Sequence, residues 1–414
     1  MISDSPFVKV FLLVNALLLF PRVELAFSQS KNDMPEVTHI EPNNETGTSM
    51  ATAVGDVPLA FTNQVFPYDA NGNLVGESDV TRQIDQVITH IETTLRSAGT
   101  NMGSLVRMNV YLAEDALSET VQERLAELLP DDARPAITFV SGTPTRAGVM
   151  VSMDAVAVAP VASVNGGVSL YQAESLHGLQ KRSHAAVLPP GRKIFFSGQA
   201  EVADGLLEGT RKTMRGLFST LAYAGAAAED VVHLKAFINP AEDAEEVEEI
   251  IAGFFRYGNV PPIVTLEWHS ESFPTEIEMI ASAPADPLAS ETISYYAPVW
   301  KSQATTFSRL VDVHQGGLLF TSGLYGDEEQ DGEAQARSIF ATLTGLLEKA
   351  GSDYDHLVKG TYYPSTDEGR IGFTDVRTDF LNPERPPAAS MAEVNGTGRA
   401  GRTINVDMIS VIPE

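Results

Sequence analysis

The sequence predicts an α+β fold built from three tandem copies of one domain. A strand-like block, Val106–Tyr111, recurs 126 residues later as Val232–Phe237, and after the same interval again as Val358–Tyr363. An Ala-Gly pair precedes every block at one fixed distance, and a proline follows every block at another. This period is far longer than that of a solenoid repeat, so each copy should bury a core of its own.

Within each copy, the predicted order of elements is β-β-α-β-α-β-β. The first helix of repeat 1 has apolar residues at helical spacing, with Asp79 placed to cap its start and the Ala-Gly pair placed to end it. The repeated block forms the next strand, and a second helix and two further strands follow it. The last strand keeps one carboxylate in every copy: Asp154, Glu278 and Asp407.

Helices in this order cover one face of a sheet, and the other face must be buried as well. Three copies can bury it by closing their sheets into a central β-barrel with pseudo-threefold symmetry. We place the repeats at residues 47–160, 169–284 and 292–413, joined by short connectors, and expect a monomer that forms an internal pseudo-trimer. Residues 29–46 are polar and are predicted to be a disordered linker.

Residues 1–28 are predicted to be a signal peptide. Lys9 precedes the apolar run Val10–Phe20, and Ala26 and Ser28 are small residues of the kind that signal peptidase reads. The run is shorter than the about 20 apolar residues that a membrane span needs. We therefore expect an exported protein, periplasmic or secreted, with no integral membrane span in its mature form. The alternative is an uncleaved N-terminal anchor.

Composition excludes several classes of function. The chain has no cysteine and a formal net charge of −27. Disulfides and thiolate nucleophiles are therefore ruled out. Nucleic acid is not an expected partner, because binding it needs clustered Lys and Arg that displace counterions. The histidines show no metal-ligand spacing and no glycine-rich phosphate loop opens a helix, so neither a metal nor a cofactor is predicted.

Three further motifs point to a known family. Phe196–Gln199 reads Phe-Ser-Gly-Gln after a strand, Thr275–Ala281 reads Thr-Glu-Ile-Glu-Met-Ile-Ala, and Phe307–Asp312 precedes a Thr-Ser-Gly in repeat 3. Together with the Ala-Gly helix ends, they resemble the RidA/YjgF family of reactive-intermediate deaminases, formerly called endoribonuclease L-PSP-like. The resemblance covers all three repeats. It implies the family's chorismate mutase-like fold, with small-molecule pockets where repeats meet.

The resemblance also implies an activity, the hydrolysis of imines and enamines such as 2-aminoacrylate to 2-oxo acids and ammonia. Family members hold the substrate carboxylate with the arginine of a Pro-Ala-Arg-Ser/Thr motif. In this chain that position is occupied by Ile137, Ile263 and Ala389. A hydrogen bond to a charged group is worth about 1.5–3 kcal/mol. Its loss would weaken carboxylate binding roughly ten- to a hundredfold.

Two other arginines are candidates to replace the missing one. Arg146 and Arg399 each stand in an Arg-Ala-Gly turn shortly after the motif, where they could reach a cleft and hold an anion. The alternative is that both lie on solvated turns. Other candidate substrate-binding residues follow from the resemblance, although the glycines among them could simply permit close packing: Ser197, Gly198, Ser322, Gly323 and Phe307.

The carboxylates of the last strands have two interpretations. Asp154, Glu278 and Asp407 could orient a hydrolytic water as catalytic residues, or they could pair with Lys or Arg at a domain interface. The function predicted from the resemblance is a RidA-like hydrolase that deaminates small imines in interdomain clefts. The alternative is a non-catalytic RidA-like protein that binds a small ligand or has a structural role.

Overall fold

The computed structural model describes most of the chain, and the predicted signal peptide lies outside the described residues. The described ranges are 34–164, 166–176, 182–256, 258–327 and 330–413. No helix within these ranges is long and apolar enough to cross a membrane.

Repeat 1 contains the predicted order of elements, preceded by one more strand. Its elements are β1 Val37–Asn43, β2 Thr48–Val54, β3 Leu59–Thr62, α1 Val80–Ser97, β4 Leu105–Leu112, α2 Ser118–Leu128, β5 Ala136–Ser141 and β6 Val151–Val158. The side chain of Asp79 caps α1 by accepting a hydrogen bond from the backbone N–H of Arg82 at 3.2 Å. Gly99 follows the helix with a φ of +78°, which glycine adopts at little cost.

Repeats 2 and 3 have the same order. Repeat 2 comprises β7 Ser169–Tyr171, β8 Ala185–Leu188, β9 Lys193–Gln199, α3 Leu206–Tyr223, β10 Val231–Ile238, α4 Ala244–Ala252, β11 Ile263–Glu267 and β12 Thr275–Ser282. Repeat 3 comprises β13 Ile293–Tyr296, β14 Leu310–Val313, β15 Gly317–Thr321, α5 Gly332–Ala350, β16 Leu357–Pro364, α6 Asp367–Val376, β17 Ala388–Met391 and β18 Ile404–Ile412.

Each repeat begins with a strand that was not predicted. β1, β7 and β13 pair antiparallel with the strand that follows each of them. β1 lies within residues 29–46, so the described part of this segment is not the disordered linker that the sequence predicts. The reason is that Ile40 is buried in the core of repeat 3, while an Asn43–Gly47 turn folds β1 back onto β2.

The repeats are joined in a cycle by strand pairing. β3 pairs with β8, β9 pairs with β14, and β15 pairs with β2, all antiparallel. The described strands form two sheets, of twelve and six strands, rather than one closed ladder. The α+β fold of three tandem domains is therefore confirmed, whereas the closed central barrel stays unconfirmed.

The apolar core has separate and shared parts. Each repeat has its own cluster between its helices and its sheet. Two further clusters draw residues from all three repeats. Val106, Val232 and Val358 belong to one of them, and the aromatic rings that end the repeated block belong to the other. Between these positions on β4, β10 and β16 lie buried polar residues. Together with the buried carboxylates opposite them on β6, β12 and β18, they form what we call the polar layer.

Candidate functional site

The polar layer contains all three predicted catalytic carboxylates, and two of them form ion pairs between repeats. Nη2 of Arg107 in repeat 1 lies 2.5 Å from Oδ2 of Asp407 in repeat 3. Nζ of Lys359 in repeat 3 lies 2.6 Å from Oε2 of Glu278 in repeat 2. All four side chains are largely buried. For Glu278 and Asp407, these contacts agree with the alternative in which the carboxylates pair with Lys or Arg at a domain interface.

Hydrogen bonds complete the polar layer. Asp154 accepts a bond from Nδ2 of Asn109 at 2.8 Å and another from the hydroxyl of Tyr111. Burial alone would raise the pKa of Glu278, but the ammonium groups of Lys359 and Lys235 bring it below its usual value. Glu278 is therefore held in its charged form, and the catalytic role of the three carboxylates stays a prediction.

The repeats meet at three clefts, which we call cleft A (repeats 1 and 2), cleft B (repeats 2 and 3) and cleft C (repeats 3 and 1). In each cleft, residues at the end of β3, β9 or β15 contact the next repeat at the position where the family has its arginine. Gln64 N donates to Ile263 O at 3.3 Å in cleft A. Ala389 N donates to Ser197 Oγ at 2.7 Å in cleft B. Gly323 N donates to Ile137 O at 3.0 Å in cleft C.

In clefts B and C, a side chain of the protein occupies the space beside the glycine of the strand end. A Cβ on Gly198 would overlap the carboxylate of Glu276, and a Cβ on Gly323 would overlap the side-chain amide of Asn405. The predicted ligand-binding glycines thus give room to side chains of the protein itself. Ser197 and Ser322 are also engaged, because their hydroxyls donate to Ser308 O and to Gly323 O.

Cleft A has the reverse arrangement. Its strand end carries Asn63 in place of glycine, and the residue that corresponds to Glu276 and Asn405 in the strand register is Ser152. A cavity of about 350 Å³ opens on the Asn63 side of this cleft. Its polar lining includes Asn63, Tyr68, His90, Arg146, Arg182, His184 and Glu248.

Two arginines converge on one buried carboxylate in cleft A. Nη2 of Arg146 lies 2.7 Å from Oε2 of Glu248, and Nη1 of Arg182 contacts the same oxygen. The other oxygen, Oε1, accepts a hydrogen bond from Thr265 Oγ1 at 3.0 Å. Glu245 also lies near Arg146, at 3.3 Å, but its side chain is 72% exposed and therefore screened by solvent. The buried part of the site carries one surplus positive charge.

The cavity also contains a neutral imidazole. Nδ1 of His184 accepts a hydrogen bond from Ala173 N at 3.2 Å, which places the ring proton on Nε2. Burial lowers the pKa of His184 to about 4, so the ring is uncharged at neutral pH. Nε2 of His184 and Oδ1 of Asn63 are both buried and have no hydrogen-bond partner among the described residues. The cavity therefore has two arginines at one end, and it also has a donor (Nε2 of His184) and an acceptor (Oδ1 of Asn63) that bind no other described residue.

The two predicted replacement arginines have different surroundings. Arg146 lies in cleft A, where its guanidinium also stacks on the Phe66 ring at 5.0 Å. Arg399 is exposed, with Nη2 3.3 Å from Gln122 Oε1. Phe307 is partly buried and lies under Arg309 at 4.8 Å. Among the described residues, no group of His, Asp or Glu side chains is arranged to hold a metal ion.

Three domain copies in one chain meet in a cycle, and a cavity of ligand size lies at the junction of repeats 1 and 2. The chain belongs to the family described as Endoribonuclease L-PSP, whose model matches residues 49–159, 177–283 and 301–412. The predicted relationship to the RidA/YjgF family is thereby confirmed.

Solved structures of single-domain proteins match the chain over about one repeat. A YjgF-family protein from Neisseria meningitidis is 20% identical, and the match covers 30% of this chain and 96% of that one at a TM-score of 0.23. The Rid-family protein YyfB from Yersinia pestis is 22% identical, and its match covers 30% and 98% at a TM-score of 0.26. No curated protein sequence matches the chain at a significant level.

Proposed function

We propose that this chain is a RidA-like protein that binds a small monocarboxylate in cleft A. The observation that carries this proposal is the convergence of Arg146 and Arg182 on the single buried carboxylate of Glu248. Each guanidinium has five N–H donors in a planar fork, so one carboxylate leaves donors of both arginines for a ligand. The volume of about 350 Å³ lies in the range of small-ligand pockets.

The proposal predicts changes of opposite sign at two neighbouring residues. Arg146→Ala removes the surplus charge, and we expect it to weaken carboxylate binding by roughly ten- to a hundredfold, the equivalent of one lost hydrogen bond to a charged group. Glu248→Gln increases the surplus positive charge, and we expect tighter binding. Arg399→Ala is the matched control, because this arginine has the corresponding turn position in repeat 3 but is exposed.

Isothermal titration with 2-oxobutanoate and with benzoate measures these effects. The probes differ in size but share the carboxylate. Equal loss of affinity in Arg146→Ala and Arg399→Ala would contradict the proposal. Failure of both probes to bind at millimolar concentrations would contradict it as well.

Imine and enamine hydrolysis is the second candidate function. Membership of the family supports it. The unpaired Oδ1 of Asn63 also supplies an acceptor that could orient a water beside a carboxylate held by Arg146. An amino-acid oxidase would generate imino acids, and semicarbazide trapping would report their lifetime. Faster imine loss that Arg146→Ala abolishes supports hydrolysis in cleft A. Unchanged imine loss at micromolar protein leaves a ligand-binding protein.

A further inference from the structure

We infer that the ligand of cleft A carries a cis-amide edge, as in a primary carboxamide or a lactam, in addition to the carboxylate. This inference rests on the proposed carboxylate site and concerns the other end of the same cavity. Its basis is the pair formed by Asn63 and His184, which the carboxylate site does not use.

Asn63 and His184 are opposite each other on paired strands. The β3–β8 ladder pairs Thr62 with Ala185, and Asn63 N donates to His184 O at 2.8 Å as the next step of that ladder. Opposite residues of an antiparallel pair point to the same face and have Cβ atoms about 4.5–5.5 Å apart. Both residues line the cavity of cleft A. The two side chains therefore lie next to each other at the wall of the cavity.

One of these atoms is an acceptor and the other is a donor. Nδ2 of Asn63 donates to Gln64 O at 2.7 Å, which leaves Oδ1 as an acceptor. Ala173 N donates to Nδ1 of His184, which leaves Nε2–H as a donor. Neither atom has a partner among the described residues. A buried polar atom without a partner is unfavourable, so a ligand that pairs with both atoms gains binding free energy.

The chemistry that satisfies both atoms at once is an N–H beside a C=O on the same edge. A trans secondary amide directs these groups to opposite sides, whereas a primary carboxamide or a lactam directs them to the same side. Neither atom has open surface in this structure, so we expect the ligand to turn both side chains slightly towards the cavity as it binds. The surplus positive charge at Arg146 and Arg182 would hold the carboxylate of the same ligand.

Two matched pairs of ligands test the inference on the unmodified protein. 5-Oxoproline is compared with cyclopentanecarboxylate, and succinamate is compared with pentanoate. In each pair, both members have a carboxylate and only the first has the amide edge. Two neutral hydrogen bonds should make the amide ligand bind about 10- to 100-fold more tightly than its hydrocarbon counterpart.

The variant Asn63→Leu removes the acceptor. It should reduce the affinity for the amide ligands at least several-fold more than the affinity for the hydrocarbon ligands, with folding checked by thermal unfolding. Equal binding of both members of each pair would overturn this inference and leave the carboxylate site intact. Failure of all four ligands to bind would overturn the proposed function itself.

Discussion

The ion pair between Arg107 and Asp407 provides the sharpest test of how the repeats hold together. It joins repeat 1 to repeat 3 at 2.5 Å, with side chains that are 7% and 1% exposed. The variant Arg107→Met keeps most of the side-chain volume but leaves the carboxylate of Asp407 buried without its cation. It also removes the donors that reach Asn109 Oδ1 at 3.2 and 2.9 Å. Breaking a buried pair in this way costs about 3–5 kcal/mol.

The double variant Arg107→Met/Asp407→Leu separates the ion pair from the packing. It removes both charges together, and replacing a whole buried pair by apolar residues is often neutral or stabilising. We therefore expect the double variant to be more stable than Arg107→Met alone. The matched control is Arg337→Met, because Arg337 pairs with Glu333 and Asp379 but is 51% exposed. Its loss should cost about 0–1 kcal/mol.

Urea unfolding followed by far-UV circular dichroism measures the free energy of unfolding of each variant. A loss of stability in Arg107→Met no larger than that in Arg337→Met would show that the buried pair contributes no more than an exposed one. A double variant less stable than Arg107→Met would also contradict this explanation, because removing the unpaired carboxylate of Asp407 should then have relieved the loss and did not.

Three further predictions concern Gly198, Glu276 and Asp79. Gly198→Asn should destabilise the protein by about 1–3 kcal/mol, because the added side chain overpacks against Glu276. Adding Glu276→Ser should restore most of this stability by recreating the arrangement of cleft A. A urea unfolding midpoint lower in the double variant than in Gly198→Asn would contradict this prediction. Burial raises the pKa of Glu276 from its usual 4.5 to about 8. The folded state therefore keeps a proton that the unfolded state releases, and stability should fall as pH rises from about 4.5 to 8. Glu276→Gln should remove this loss, so equal thermal unfolding profiles of both proteins at pH 5 and pH 8 would count against the assignment. Asp79→Ala removes the cap of α1 and should cost about 1 kcal/mol in chemical unfolding, and no change would show that the cap is not used.

Repetition made much of the fold predictable. Because the same strand block and helix end recur in every copy, the order of seven elements per repeat could be derived and is confirmed. The additional first strands were missed because their signal is weak. β7 has only three residues, and β1 mixes polar and apolar residues without strict alternation. Their formation depends on pairing with the next strand, which is tertiary context.

The candidate site was less predictable, because its contacts cross repeats. Arg107 and Asp407 lie far apart in the chain, and the sequence offered ion pairing only as an alternative. Arg182 and His184 had no motif to mark them. Glu248 lies in the acidic run of residues 243–249, a composition typical of a solvated helix face. Its position in the helix nevertheless indicates burial. It is four residues after Ala244 and three before Ile251, both buried, so it belongs to the buried stripe of α4.

Joining the three repeats in one chain makes their assembly a unimolecular event. The short connectors give each repeat a high effective concentration of its neighbours, so dilution should not separate them and the unfolding midpoint should not depend on protein concentration. Identical subunits would carry any substitution into every junction at once. In this chain, a change such as Asn63 in place of glycine alters one junction alone, so the protein should bind one ligand per chain rather than three.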